Sequence, residues 1–159
     1  TFGEVFYEPE LRRILSKLRN IKLKSIRCLY EKSCGAVILY KDKITGEIRI
    51  LLVKNHNGRF YSFPKGHVEL HESEKATAVR EVKEETNLDV KVGDFCDAVQ
   101  NDYMHKRTVQ IMMYFDNVEG EIKISDEHTD WMWASLDEIR TLEISTSLKK
   151  LLKKRDWEI

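Results

Sequence analysis

The chain has 159 residues, and its 27 Lys plus Arg balance 27 Asp plus Glu, so the formal net charge at pH 7 is zero. This length supports one domain with its own core, and the charge balance excludes a general pull towards nucleic acid, membrane or acidic polymers. Only 7 Gly and 2 Pro argue against disorder or a fibrous fold, and Cys28, Cys34 and Cys96 lack the spacing of a zinc site or a disulfide framework.

The opening stretch TFGEVFYEPELRR is too charged for a secretory signal. No apolar run approaches the roughly 18 residues of a membrane span, so a cytoplasmic protein without membrane contact is expected. In residues 8–20, Leu11, Leu15 and Leu18 recur at helical spacing between basic residues, which predicts an amphipathic helix. Residues 1–31 are therefore expected as a helical extension and residues 32–159 as the main domain.

From Ser33 the pattern becomes strand-like. CGAVILY and IRILLVK flank the turn-rich KDKITGE, a hairpin signature. RFYSF ends at Pro64, and a helix over 73–86 follows with Ser73 as its cap and Ala76, Val79 and Val82 as its apolar face. LDVKVGDFCDAV, TVQIMMYFDNV and WMW read as further strands. Ser135 and Glu138 match a capping box, and a final helix near 145–155 turns Leu148, Leu151 and Leu152 to one side. Without repeats or low-complexity linkers, the chain reads as a single α+β domain.

The stretch GHVELHESEKATAVREVKEETNL, residues 66–88, carries the chemistry. Glu81, Glu84 and Glu85 stand at i, i+3 and i+4, so on a helix their carboxylates share a face and repel one another. A divalent cation such as Mg²⁺ relieves that repulsion, taking one or two carboxylates directly and keeping waters or phosphate oxygens elsewhere. Arg80 can orient a glutamate or approach phosphate through its planar fork. Pro64–Lys65–Gly66 sets a cation beside a residue whose backbone admits close approach.

Gly66, Glu72 six residues on, then Arg80–Glu81–Val82, Glu84–Glu85 and Leu88 resemble the signature of the Nudix hydrolase family. The usual Gly near the helix end is here Asn87, the next most tolerant residue at a left-handed position. The resemblance implies a Nudix-like α/β/α sandwich with a mixed β-sheet and Mg²⁺- or Mn²⁺-dependent hydrolysis of a nucleoside diphosphate linked to another group. Glu81, Glu84 and Glu85 would be metal ligands, Arg80 would orient the site, and Glu72 would support the loop–helix junction.

Cys34 to Ile38, Phe63 to Glu69, and Ser125–Asp126–Glu127–His128 ahead of Trp131 and Trp133 resemble the branch that cleaves diadenosine tetraphosphate asymmetrically to ATP and AMP. That likeness makes Glu127 a candidate further ligand or base. Lys65, Lys106 and Arg107 are candidate phosphate cations, Tyr103 and Tyr114 candidate base-stacking rings, and His67 and His128 candidate phosphate or proton-relay groups. Leu70–His71 stands where that branch commonly has Pro-Gly, so the turn is built from more restricted residues.

A small nucleotide is the expected partner, with the chain a monomer or homodimer and RNA not favoured. Alternative substrates within the family are RNA 5′ ends, nucleoside triphosphates, nucleotide sugars and diphosphoinositol phosphates. An alternative of another class is a non-catalytic nucleotide-sensing module, against which the full set Glu81, Glu84 and Glu85 argues.

Overall fold

The runs flanking KDKITGE pair as the expected hairpin. Strand β1 (Leu29–Lys41) lies antiparallel to β2 (Ile48–Asn55), with Leu39 opposite Ile50. The Asp42 carboxylate accepts the N–H groups of Ile44 and Thr45, and so closes the turn between them. The structure, a computed structural model, describes residues 29–104 and 106–157, apart from the side chains of Leu29, Asp116 and Asn117. The helix expected over 8–20 lies outside the described residues, and β1 begins at Leu29, ahead of the expected domain start at 32.

Strand β1 organises the sheet. Its far end pairs with β2, Ser33–Gly35 pair antiparallel with β4 (Lys65–His67), and Leu29–Ile38 run parallel to β6 (Lys106–Glu119). The order is β3-β2-β1-β6-β5, where β3 is Tyr61–Ser62 and β5 is Asp89–Tyr103; β7 (His128–Ala134) adds to β2. The sheet is therefore mixed and open. Gly35 permits the β4 junction, because a Cβ there would meet the Pro64 carbonyl oxygen at 2.4 Å and Lys65 Cβ at 2.5 Å.

Helices cover both faces. On one, α1 (Glu74–Thr86) buries Ala78 and Val82 against Cys34, Ala36, Ile38, Leu51, Met113 and Phe115. On the other, α2 (Leu136–Thr141) contributes Ile139, and α3 (Thr146–Lys154) contributes Leu148, Leu151 and Leu152, to a core with Val37, Ile50, Leu52, Val99 and Met112. Each fully buried leucine contributes about 2 kcal/mol by removal of apolar surface from water. Among the described residues, no helix is long and apolar enough to cross a membrane.

The local stop and start signals form as the sequence predicts. Ser73 Oγ accepts the Ala76 N–H at 3.2 Å, and Ser135 with Glu138 makes a reciprocal capping box. Asn87 ends α1 at φ 63°, donating its N–H to the Lys83 carbonyl. His71 also takes a positive φ, 66°, so the turn that lacks Pro-Gly is made by a left-handed histidine. The buried stripe of α1 differs from the expected one. Val82 is buried and Val79 half-buried as expected, but Ala76 is exposed, and Thr77, Ala78, Glu81, Glu85 and Thr86 also face inward. The helix thus turns two glutamates against β4, Glu81 beside Gly66 and Glu85 on the Lys65 N–H.

Candidate active site

Glu81 and Glu85, one turn apart on the buried side of α1, are only 9 % and 7 % exposed. Gly66 on β4 makes room for the first. A Cβ on Gly66 would lie 2.0 Å from Cδ and Oε1 of Glu81, so any other residue would fill the space its carboxylate occupies. The Glu85 carboxylate accepts the Lys65 N–H at 3.1 Å. Burial raises the Glu81 carboxyl above its usual range, opposed by its hydrogen bond from Arg80. Burial pushes Glu85 up to about 8, opposed by the charge and N–H of Lys65. Two inward carboxyls are held where a cation would restore their ionisation.

Arg80 is the hub of this wall. Its Nε and one terminal nitrogen form a fork on Glu72 at 2.9 and 3.0 Å. Its other terminal nitrogen donates to Glu81 at 2.7 Å and Glu84 at 2.9 Å, and the His67 carbonyl accepts a further bond at 3.0 Å. Glu72 also accepts the Thr77 hydroxyl at 2.7 Å and the Glu69 N–H at 3.3 Å. The Arg80 fork, with that hydroxyl and N–H, holds the Glu72 carboxyl down at about 2. Glu72 therefore anchors Arg80, while Arg80 steers Glu81 and Glu84. Glu84 itself remains largely exposed.

These side chains border a cleft of about 1140 Å³. Of the expected contacts, Lys65, Gly66, His67, Arg80, Glu81, Glu84, Glu85, Tyr103, Lys106 and Glu127 line it. At the rim, the Glu31 carboxylate joins His67 Nε2 at 3.2 Å to Lys106 Nζ at 2.5 Å. The loop bearing Glu127 is tied to α1, since Lys123 and Ser125 donate their N–H groups to the carbonyls of Thr86 and Glu85. The Glu127 carbonyl in turn accepts the His56 N–H at 2.7 Å.

Three expected substrate contacts fall outside the cleft lining. Tyr114 points to the α3 face of the sheet, half-buried against the core, where its hydroxyl accepts a bond from Arg155 at 3.3 Å. Arg107, on the face of β6 opposite Thr108, pairs with Asp102 at 2.7 Å. His128 is buried, with Nδ1 3.1 Å from Ser125 Oγ and Nε2 3.6 Å from Glu85. Burial lowers its pKa, so at neutral pH it is an uncharged ring behind Glu85. Conversely, Glu31, Ser33, Thr108 and Gln110 line the cleft without having been singled out from sequence. For Thr108 and Gln110 the signal was polar residues at alternate positions leading into an apolar run.

The donor set fits a hard divalent cation. Among the described residues, no three acidic, His or Cys side chains already converge as a ready-made metal cage. Arg80 draws Glu81 and Glu84 together, and Lys65 engages Glu85. A Mg²⁺ site needs only one or two of these carboxylates directly, the remainder being water and substrate phosphate. The space that Gly66 leaves for Glu81, and the inward acid Glu85, meet that requirement.

Comparison with known proteins agrees with this geometry. The NUDIX domain description matches residues 30–154. The chain is 27 % identical over 133 residues to a bis(5′-nucleosyl)-tetraphosphatase [asymmetrical] of Sus scrofa, covering 77 % of this chain and 90 % of the relative. Among solved structures, a Caenorhabditis elegans Ap4A hydrolase binary complex matches with a TM-score of 0.64 and 26 % identity, covering 79 % of this chain and 95 % of that one. A MutT protein from Methanosarcina mazei matches with a TM-score of 0.68 and 28 % identity, covering 81 % and 94 %. With the family's domain spanning most of the chain and its glutamate helix walling the cleft, the protein belongs to the NUDIX family and is a Nudix pyrophosphohydrolase.

Proposed function

We propose that this protein hydrolyses dinucleoside polyphosphates, cleaving diadenosine tetraphosphate asymmetrically to ATP and AMP with Mg²⁺ held at the Glu81, Glu84 and Glu85 face. The observation that carries this reading is one cleft whose lining gathers the glutamates Glu81, Glu84, Glu85 and Glu127 with the cations Lys65 and Lys106 and the ring of Tyr103. A long anionic substrate needs both a cation site and positive side chains along its phosphates. Bound Mg²⁺ or Mn²⁺ supplies charge neutralisation at the phosphoryl oxygens and a more acidic water.

The chain's own residues do the rest. Glu72 fixes Arg80, which holds Glu81 and Glu84 in orientation. Lys65 and Lys106 bind phosphate oxygens, and Glu127 approaches the reacting centre from the loop after β6. Tyr103, 58 % exposed at the cleft edge, offers a ring for a base, a stacking contact worth about 1–3 kcal/mol. Alignment of a bound phosphate against water in this frame lowers the barrier without a covalent intermediate.

The test is product analysis with diadenosine tetraphosphate, RNA 5′-triphosphate, ADP-ribose and dGTP in parallel, each with Mg²⁺. ATP plus AMP from the first, at a kcat/KM at least tenfold above the others, is the expected result. Preference for another substrate would overturn the dinucleotide assignment and leave the glutamate site standing. Cleavage of none would favour a nucleotide-sensing role.

A further inference from the structure

The cleft floor is built from strands whose same face is apolar elsewhere. Same-face positions run Glu31, Ser33, Gly35, Val37 along β1 and Thr108, Gln110, Met112, Tyr114 along β6, with Ser33 opposite Gln110 and Glu31 opposite Thr108. Val37 and Met112 belong to the core shared with Leu148 and Leu151. Ser33, Thr108 and Gln110 line the cleft instead. They are half-buried, and among the described residues none of these three side chains hydrogen-bonds to the protein. Polar groups in partly desolvated positions require partners, so this floor is completed by water or by a ligand.

Charge flanks that floor: Glu31 at its end is paired with His67 and Lys106, and Lys65, Arg80 and the carboxylates of α1 share the cleft lining, whereas Ser33, Thr108 and Gln110 are neutral. A phosphate chain or a phosphorylated inositol ring calls for cations beneath it. A flat surface of one amide and two hydroxyls suits a planar, uncharged group with mixed donors and acceptors.

Resting on the dinucleotide reading above, we propose that Gln110 is a specificity-determining residue whose side-chain amide hydrogen-bonds the edge of an adenine lying on this floor, flanked by Thr108 and Ser33. An amide presents one acceptor beside one donor. Adenine offers the complement, an exocyclic N–H beside a ring nitrogen, whereas the N7 edge of guanine offers two acceptors.

The experiment compares diadenosine tetraphosphate with the same dinucleotide carrying unsubstituted purine, which lacks the exocyclic amine. Wild-type enzyme is expected to favour adenine in kcat/KM by about tenfold, within the range of a bidentate amide–adenine contact. Gln110→Met, similar in volume, and Gln110→Ala should each reduce that preference to under about twofold, chiefly by slowing the adenine substrate. Full preference retained in a folded variant would overturn the assignment. So would a wild type that cleaves both substrates equally, a result that leaves the dinucleotide activity intact and needs no variant. Cleavage of neither by wild type would remove the dinucleotide reading and this role together.

Discussion

Replacing Gly66 with Ala separates the chemistry of the glutamate site from the stability of the fold. The new Cβ would lie 2.0 Å from Cδ and Oε1 of Glu81 and 2.2 Å from Oε2, against 3.4 Å for ordinary contact. Gly66 has no left-handed φ, so alanine brings no backbone strain of its own. The obstruction is the tip of a side chain, which can yield. The Glu81 carboxylate must withdraw by about 1.4 Å, and displacements of that order at a reacting centre cost about 10²-fold in rate. That corresponds to about 2.7 kcal/mol of transition-state stabilisation. The structural loss is smaller: one charge-assisted bond from Arg80 and a strained rotamer, about 1–2 kcal/mol. A domain of this size then melts only a few degrees lower. The assay is kcat/KM for diadenosine tetraphosphate at saturating Mg²⁺, with a thermal melt on the same preparation. Activity within about threefold of wild type would refute the role given to the Glu81 pocket.

Three further outcomes follow from other contacts. Asn87→Ala should lose about 1–2 kcal/mol in denaturant unfolding, because alanine resists the left-handed φ of 63°, whereas Asn87→Gly should lose less. Glu72, with its carboxyl near 2 against a usual 4.5, stabilises the fold fully above the higher value; that contribution disappears as pH falls from 4.5 towards 2. Glu72→Gln should flatten this acid limb in a pH series of melts, and an unchanged acid limb would contradict the Arg80 anchor. Tyr103→Ala should raise KM by about tenfold if the ring stacks on a base, while Tyr114→Phe should leave both kcat and KM within twofold. Steady-state kinetics on the two variants would refute these placements if the effects were reversed.

What was legible in the sequence was local. Helical periodicity placed Glu81, Glu84 and Glu85 on one face, and Ser73, Ser135 and Asn87 announced the helix ends because caps depend on residues a few positions away. Which carboxylates turn inward was not legible. Glu81 and Glu85 are buried because β4 lies against α1, with Gly66 beside Glu81 and the Lys65 N–H on Glu85, a contact not encoded in the helix itself. The same limit explains the tyrosines. Strand alternation says that Tyr114 and Met112 share a face, but only the docking of the C-terminal helices shows that this face is core at Tyr114 and open cleft at Gln110. Gln110 and Thr108 were passed over inside an apolar run, although their alternate spacing marked the stretch where the core face gives way to the site. His128 stood as a candidate phosphate or proton-relay group from its motif, and only the fold shows it buried 3.6 Å from Glu85, outside the cleft lining.

The most direct test of the glutamate mechanism is turnover of diadenosine tetraphosphate across a Mg²⁺ titration, for the wild type and for Glu84→Gln. Glu84 is 59 % exposed and bonded only through Arg80 among the described residues, so its neutral isostere leaves the fold essentially intact. Wild-type activity should rise to a plateau with Mg²⁺ and yield ATP and AMP, while the variant should remain at least about 100-fold slower at every concentration. Equal turnover by the two proteins, or cleavage by wild type without divalent cation, would contradict the assignment of the metal to this carboxylate face.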